Sequence, residues 1–191
     1  MGIMHGIDVN QLEDFSKYAA DNPNDVLLGI EASTIWEGTG GAALAKIGPW
    51  ELGGNRIEKP TRDFSIQFGA WKEVEEALGF EGASDKVEAV EAALAAMCAC
   101  VTTAVAINAA REGLDFDGIE ITAKAAVDPR VLLGILPEDE ARSCLQSVDM
   151  DIVVTGDDVT DEDRARIKGM AARSPVASMV KYANNLNTNV T

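Results

Sequence analysis

From Ala92 to Ala110 the chain runs for 19 residues without a charged side chain. That is close to the ~20 apolar residues that cross a bilayer. The stretch is mostly alanine, however, interrupted by Cys98, Cys100, two threonines and Asn108, and Glu91 and Arg111 bracket it. Such a composition predicts the core helix of a soluble protein. Ser84 is a candidate N-cap with Asp85 in the first turn, and Gly113 a candidate C-terminal cap, so the predicted helix runs from Ser84 to Glu112. It would be on the order of 40 Å long. Its middle is apolar all round and therefore needs cover all round. A chain of 191 residues has few elements for that task. Either sheets wrap both sides, or a second copy supplies the cover.

The segments on either side point to sheets. Asn10 and Glu13 suit a capping box, and Leu12, Phe15 and Tyr18 make one helical stripe that Asn22-Pro23 ends. From Val26 to Trp36 the apolar positions recur with period two. Gly38 to Gly41 makes a turn, Ala43 to Ile47 a second strand, Gly53-Gly54-Asn55 another turn, and Phe64, Ile66 and Phe68 a third strand. This is an antiparallel meander with one buried face. A short helix follows over Trp71 to Leu78. Beyond the long helix come a strand at Ile119 to Ala123, an irregular connection from Pro129 to Pro137, and a strand at Val148 to Val154. Thr160 with Asp163 caps a helix carrying Ile167 and Met170, and Ser174-Pro175 opens a last short helix. The tail from Asn184 is expected to add an edge strand or to fray. With no internal repeat and no linker, residues 1–191 read as a single α+β domain, of which 1–25 are an N-terminal helical extension.

The net charge of −16 argues against nucleic acid and anionic membranes as partners. The N-terminus lacks a basic region followed by an apolar run, so no secretory signal is read there, and Gly6 breaks the myristoylation pattern. The expected location is the cytoplasm. No phosphate-binding loop is present, the acidic run Asp157 to Asp163 lacks the glycine and glutamate of a calcium loop, and His5 is expected at the surface. No metal or organic cofactor is implied.

Chemistry then falls to the thiols Cys98, Cys100 and Cys144. Two residues on a helix turn by about 200°, so Cys98 and Cys100 point to opposite faces and cannot bridge one another. Spacing alone does not rank them, and a cysteine in an alanine-rich helix is usually a small core residue.

The run Glu91-Ala-Ala-Leu-Ala-Ala-Met-Cys-Ala-Cys100, the Val-Thr-Thr-Ala-Val-Ala-Ile-Asn-Ala-Ala-Arg-Glu-Gly-Leu that follows it, the strand Asp117-Gly-Ile-Glu-Ile-Thr and the Ser174-Pro175-Val176 segment resemble the OsmC/Ohr family of osmotically inducible and organic hydroperoxide resistance proteins. The order of elements agrees over residues 26–182. The resemblance implies antiparallel sheets wrapped around a long central helix in an intertwined homodimer. It implies Cys100 as the peroxidatic thiol, Glu91 as the site carboxylate, and reduction of small organic hydroperoxides with a dithiol as reductant. Two positions depart from the family. Ser174 stands where the resolving cysteine belongs, and the first hairpin, Gly38 to Ala45, has no arginine to lower the thiol pKa. Lys46, Arg56 and Arg62 are the candidate replacements. The rival expectation is a non-catalytic dimer that holds an apolar small molecule at its interface, with Cys100 as packing.

Overall fold

The structure is a computed structural model that describes residues 2–182 and 186–190. It is a mixed α+β chain whose contacts gather into two compact units, one of Asn10–Ala93 and one of Met1–Val9 with Leu94–Thr191. The polar tail expected from Asn184 lies partly outside the described residues, and 186–190 carry no helix or strand.

The chain opens on a hairpin that the sequence reading did not foresee. β1 (Ile3–Met4) and β2 (Ile7–Asp8) pair antiparallel around His5 and Gly6, both at positive φ. Two consecutive residues in the left-handed region are the backbone of a tight hairpin turn that matches strand twist. α1 (Val9–Asp21) follows directly, starting one residue before Asn10.

In the Asn10–Ala93 unit, β3 (Leu28–Trp36) pairs with β4 (Ala43–Leu52), which also pairs with β5 (Asn55–Ile57) and β6 (Phe64–Gly69), all antiparallel. The period-two pattern places Ala43, Ala45 and Ile47 opposite Phe68, Ile66 and Phe64 on one face. α2 (Lys72–Ala77) then leads to β7 (Val87–Glu88), which adds to β6 in parallel. This short strand shifts the start of the long helix. Ser84, the expected cap, instead donates its amide to Glu75 Oε2 at 3.1 Å, and Val87 is drawn into register with Phe68. α3 therefore runs Ala89–Glu112. Glu88 Oε2 accepts from the amides of Val90 and Glu91, while Glu91 Oε2 accepts from the Glu88 amide, a reciprocal cap built from two glutamates.

The other unit packs α3 on a two-stranded antiparallel ribbon, β8 (Gly118–Val127) with β9 (Leu145–Thr155), and on α4 (Asp161–Ala171). Val101, Val105 and Ala109 of α3, Leu114, Val154 of β9, and Ile167 and Met170 of α4 form its core, each no more than 5 % exposed. Thr160 and Asp163 make the anticipated capping box on α4. Gly113, at φ 64, ends α3, and the Leu114 amide bonds back to Ala109 O at 3.0 Å.

α3 is not enclosed by its own chain. Met97, Val101, Val105 and Asn108 are buried, but Ala95, Ala96, Ala99 and Thr103 are exposed. Only 17 % of its most apolar 18-residue window is buried, although it is long and apolar enough to cross a membrane. One ribbon and one helix can cover one stripe of a cylinder. They leave the rest.

Candidate functional site

Cys98 and Cys100 are both half-buried, but in different settings. Cys98 shares its helical stripe with Val101 and Val105, three and seven residues on, and so flanks the core. Cys100 neighbours buried Met97 one turn before it and exposed Ala96 and Thr103 on its other side. It therefore stands on the shoulder of α3, where the packed stripe gives way to the uncovered face. Among the described residues, no hydrogen bond or ion pair reaches the Cys100 sulfur. Cys144, also half-buried, precedes β9, and its carbonyl accepts from the Asp128 amide at 2.7 Å.

Ser174 is wholly buried. Its Oγ accepts from the Ala177 amide at 3.1 Å, and Pro175 takes the first position of α5 (Pro175–Lys181). The serine is thus an N-cap whose hydroxyl has a partner, as its sequence context indicated. The residue before it supplies a tether that the sequence reading missed. Arg173 donates to Asn108 Oδ1 and lies 3.6 Å from Glu112, while Asn108 Nδ2 donates to Ala104 O at 2.7 Å. Arg166 joins Glu112 to Asp163. An asparagine inside an apolar helix signals such a tether, because a buried amide demands partners. This network pins the start of α5 to the C-terminal half of α3.

Glu91 is exposed at the other end of α3, and its Oε1 accepts from Trp71 Nε1 at 3.1 Å. Nine residues separate it from Cys100, a half-integral number of turns and a rise of about 13 Å. One helix does not bring the two together. The candidate cations make bonds of their own, Arg62 through Nε alone. Lys46 Nζ bonds Ser65 Oγ at 2.6 Å, Arg56 clasps Glu31 and Glu58, and Arg62 Nε bonds Gly48 O at 3.2 Å. All three belong to the Asn10–Ala93 unit.

Beside Met97, a groove of about 440 Å³ runs between β9 and α5, lined by Leu145, Val148, Met150, Ala177 and Val180 with Lys181. It is apolar apart from that amine and Ser147. His5, expected at the surface, is instead packed. Its ring stacks on Phe116 with centroids 4.1 Å apart, Nε2 lies 2.9 Å from Leu114 O, and the side chain is only 11 % exposed. Since a carbonyl can only accept, Nε2 carries the proton. Among the described residues, no cluster of three His, Cys, Asp or Glu side chains is placed to hold a metal ion.

The model of the OsmC-like protein family matches residues 82–189, which take in α3, β8, β9, α4 and α5. The chain belongs to the OsmC-like family. Solved structures agree in fold at low sequence identity. The OsmC-like protein of Mycoplasma pneumoniae superposes with a TM-score of 0.55 at 11 % identity, over 80 % of this chain and 86 % of that one. An organic hydroperoxide resistance protein OsmC of Legionella pneumophila gives 0.52 at 14 % identity, over 80 % and 88 %. No functionally curated protein matches the sequence. The antiparallel sheets and long central helix are thus an OsmC-like fold, in a family whose relatives include a protein of hydroperoxide resistance.

Proposed function

We propose that the protein reduces organic hydroperoxides with the thiol of Cys100, working as a homodimer. The observation that supports this most is the place of Cys100: half-buried, on the edge of the uncovered face of α3, in the helix that carries the family match. The Cys100 thiolate attacks the distal oxygen of the hydroperoxide, the O–O bond breaks, and the alkoxide leaves as an alcohol after taking a proton. Cys100 is left as a sulfenic acid. With Ser174 at the second-motif position, an external dithiol completes the cycle. Its first thiol condenses with the sulfenic acid, releasing water, and its second displaces Cys100 while closing the reductant's own disulfide.

The same helix supports a dimer. Exposed Ala95, Ala96 and Ala99 form a small-residue face against which another helix or sheet can pack closely, and covering it removes apolar surface worth ~25 cal/mol per Å². A second copy would also let a Glu91 approach a Cys100, which one chain does not do. The groove beside Met97 favours a second reading, in which the dimer binds an apolar molecule without reacting with it.

The deciding experiment is consumption of tert-butyl hydroperoxide in the presence of dithiothreitol. Turnover that disappears in Cys100→Ser and mostly survives in Cys98→Ala supports the peroxidase. Binding of an apolar fluorophore with no thiol-dependent turnover supports the second reading.

A further inference from the structure

A cavity of about 620 Å³ opens on the sheet of the Asn10–Ala93 unit, beside β3 and β4, and holds none of the thiols. That volume lies within the range of small-molecule sites, roughly 300–1,000 Å³. The cavity is built in by backbone constraints. The segment before β6 crosses β4 at Gly48, where a Cβ would stand 2.5 Å from Arg62 O, so only glycine admits the crossing. Arg62 Nε closes the approach by donating to Gly48 O, and its guanidinium lies 5.6 Å from the centre of the Phe64 ring. β3 bulges between Ile30 and Ala32, beside Glu31. Ile47, Pro49 and Pro60 give stiff apolar walls.

The cavity lining carries three acids, Glu31, Glu58 and Asp63, and three cations, Lys46, Lys59 and Arg62, but they are not paired one to one. Glu31 takes two bonds from Arg56, at 2.9 and 3.0 Å, and Glu58 a third at 2.8 Å, so both acids are already occupied. Asp63 lies 3.9 Å from Lys46 Nζ. Lys59 and the two terminal nitrogens of Arg62 have no protein acceptor among the described residues. Both side chains line the same hollow. A guanidinium held by its Nε and lying over an aromatic ring keeps its remaining N–H groups for a ligand, and a guanidinium's fork takes up a carboxylate or phosphate in two parallel bonds.

From this we infer that the cavity binds a small organic anion, a carboxylate or a phosphate monoester. Its charged end lies on Arg62 and Lys59, and its compact body lies against Ile47, Pro49 and Pro60. The inference does not rest on the thiol chemistry, and its failure would leave the peroxidase reading untouched.

The test is calorimetric titration of the full chain with benzoate and, separately, with inorganic phosphate, both at constant ionic strength set with sodium chloride. Saturable binding of at least one is expected, with backbone amide shifts confined to residues 46–49 and 58–63. Benzoate alone assigns a carboxylate ligand, phosphate alone a phosphate ester. Lys59→Gln and Arg62→Gln should each weaken binding by at least about tenfold, the loss of one charge-assisted bond, while Lys17→Gln on α1 leaves it unchanged. Lys59 is an exposed loop residue whose replacement leaves the fold intact, so that variant decides if Arg62→Gln destabilises the sheet. Heats that rise without saturation for both probes, or equal affinity in Lys59→Gln and the wild type, overturn the site.

Discussion

At Ser174, the resemblance to the family implies the place of a second sulfur, and the chain has a hydroxyl. Its Oγ caps α5, and the residue is fully buried. Ser174→Ala should therefore cost about 1 kcal/mol of stability in urea unfolding, the usual value of a lost N-cap. Loss of the serine should not touch turnover, because a hydroxyl cannot resolve a sulfenic acid. The wild type should accumulate Cys100 sulfenic acid, trapped as a dimedone adduct, and pass to sulfinic acid under excess peroxide. Ser174→Cys restores a thiol ahead of Pro175. A peptide map of the oxidised variant should show a disulfide between Cys100 and the introduced thiol, and less over-oxidation. Two independently over-oxidised cysteines would mean that the two Cα atoms are farther apart than the ~7 Å a bridge allows. Cys144, tied by its backbone to Asp128, should tolerate alanine with little change in turnover.

Among the elements, the segment from α2 to β7 depends on one buried acid. Glu75 is 2 % exposed and accepts from the amides of Ser84 and Ala70 as well as from Lys86 Nζ, and these donors hold its carboxyl below the usual carboxylate range. Asp128 at the end of β8 is lowered to about 2 by the Arg130 guanidinium and amide. A depressed folded-state pKa stabilises the fold fully above the unfolded value and loses that contribution as pH falls. For Asp128 the loss runs from its ordinary 3.8 down to about 2. Acid unfolding followed by circular dichroism should steepen over that window, and Asp128→Asn with Glu75→Gln should flatten it. Glu75→Gln should also destabilise the protein at neutral pH, because it leaves Lys86 without its partner in a place where the lysine side chain is only 14 % exposed. In the thiol-bearing unit, Met170→Ala should cost about 2–5 kcal/mol, since Met170 is 1 % exposed in the core beneath α3.

For the whole molecule, the uncovered face of α3 and the net charge of −16 pull in opposite directions. Apolar cover favours association, while like charges on two copies oppose it. Light scattering coupled to size exclusion should give twice the chain mass of 20.2 kDa. A stable monomer at micromolar concentration would falsify the intertwined dimer. Screening should favour both folding and assembly, so the melting temperature should rise between about 0.05 and about 1 M sodium chloride. A gain of about 1 kcal/mol corresponds to about 2–4 °C for a chain of this size. An unchanged or falling melting temperature would show that local ion pairs such as Arg56 with Glu31 outweigh the general repulsion.

The main strands and helices in their order, the meander, the caps at Thr160 and Ser174 and the long apolar helix were legible in the sequence because each is set by neighbours along the chain. The opening hairpin and the short strands β5 and β7 were not. Periodicity, capping residues and turn glycines act over a few positions. The roles proposed for Cys100 and Ser174 rest on something else, a resemblance to a family, since spacing by itself left Cys98 and Cys100 equal. What the sequence could not yield depends on residues far apart in the chain. Glu75 reaching Ser84 moved the start of α3 to Ala89, Arg173 found Asn108 across 65 positions, and His5 closed on Leu114 across 109. The Gly48 crossing joined Arg62 and Lys59 to one cavity in the same way. Local pattern fixes which segments become helix or strand. Which polar side chains meet is decided by close packing, because a buried donor must find an acceptor and only the folded chain offers one.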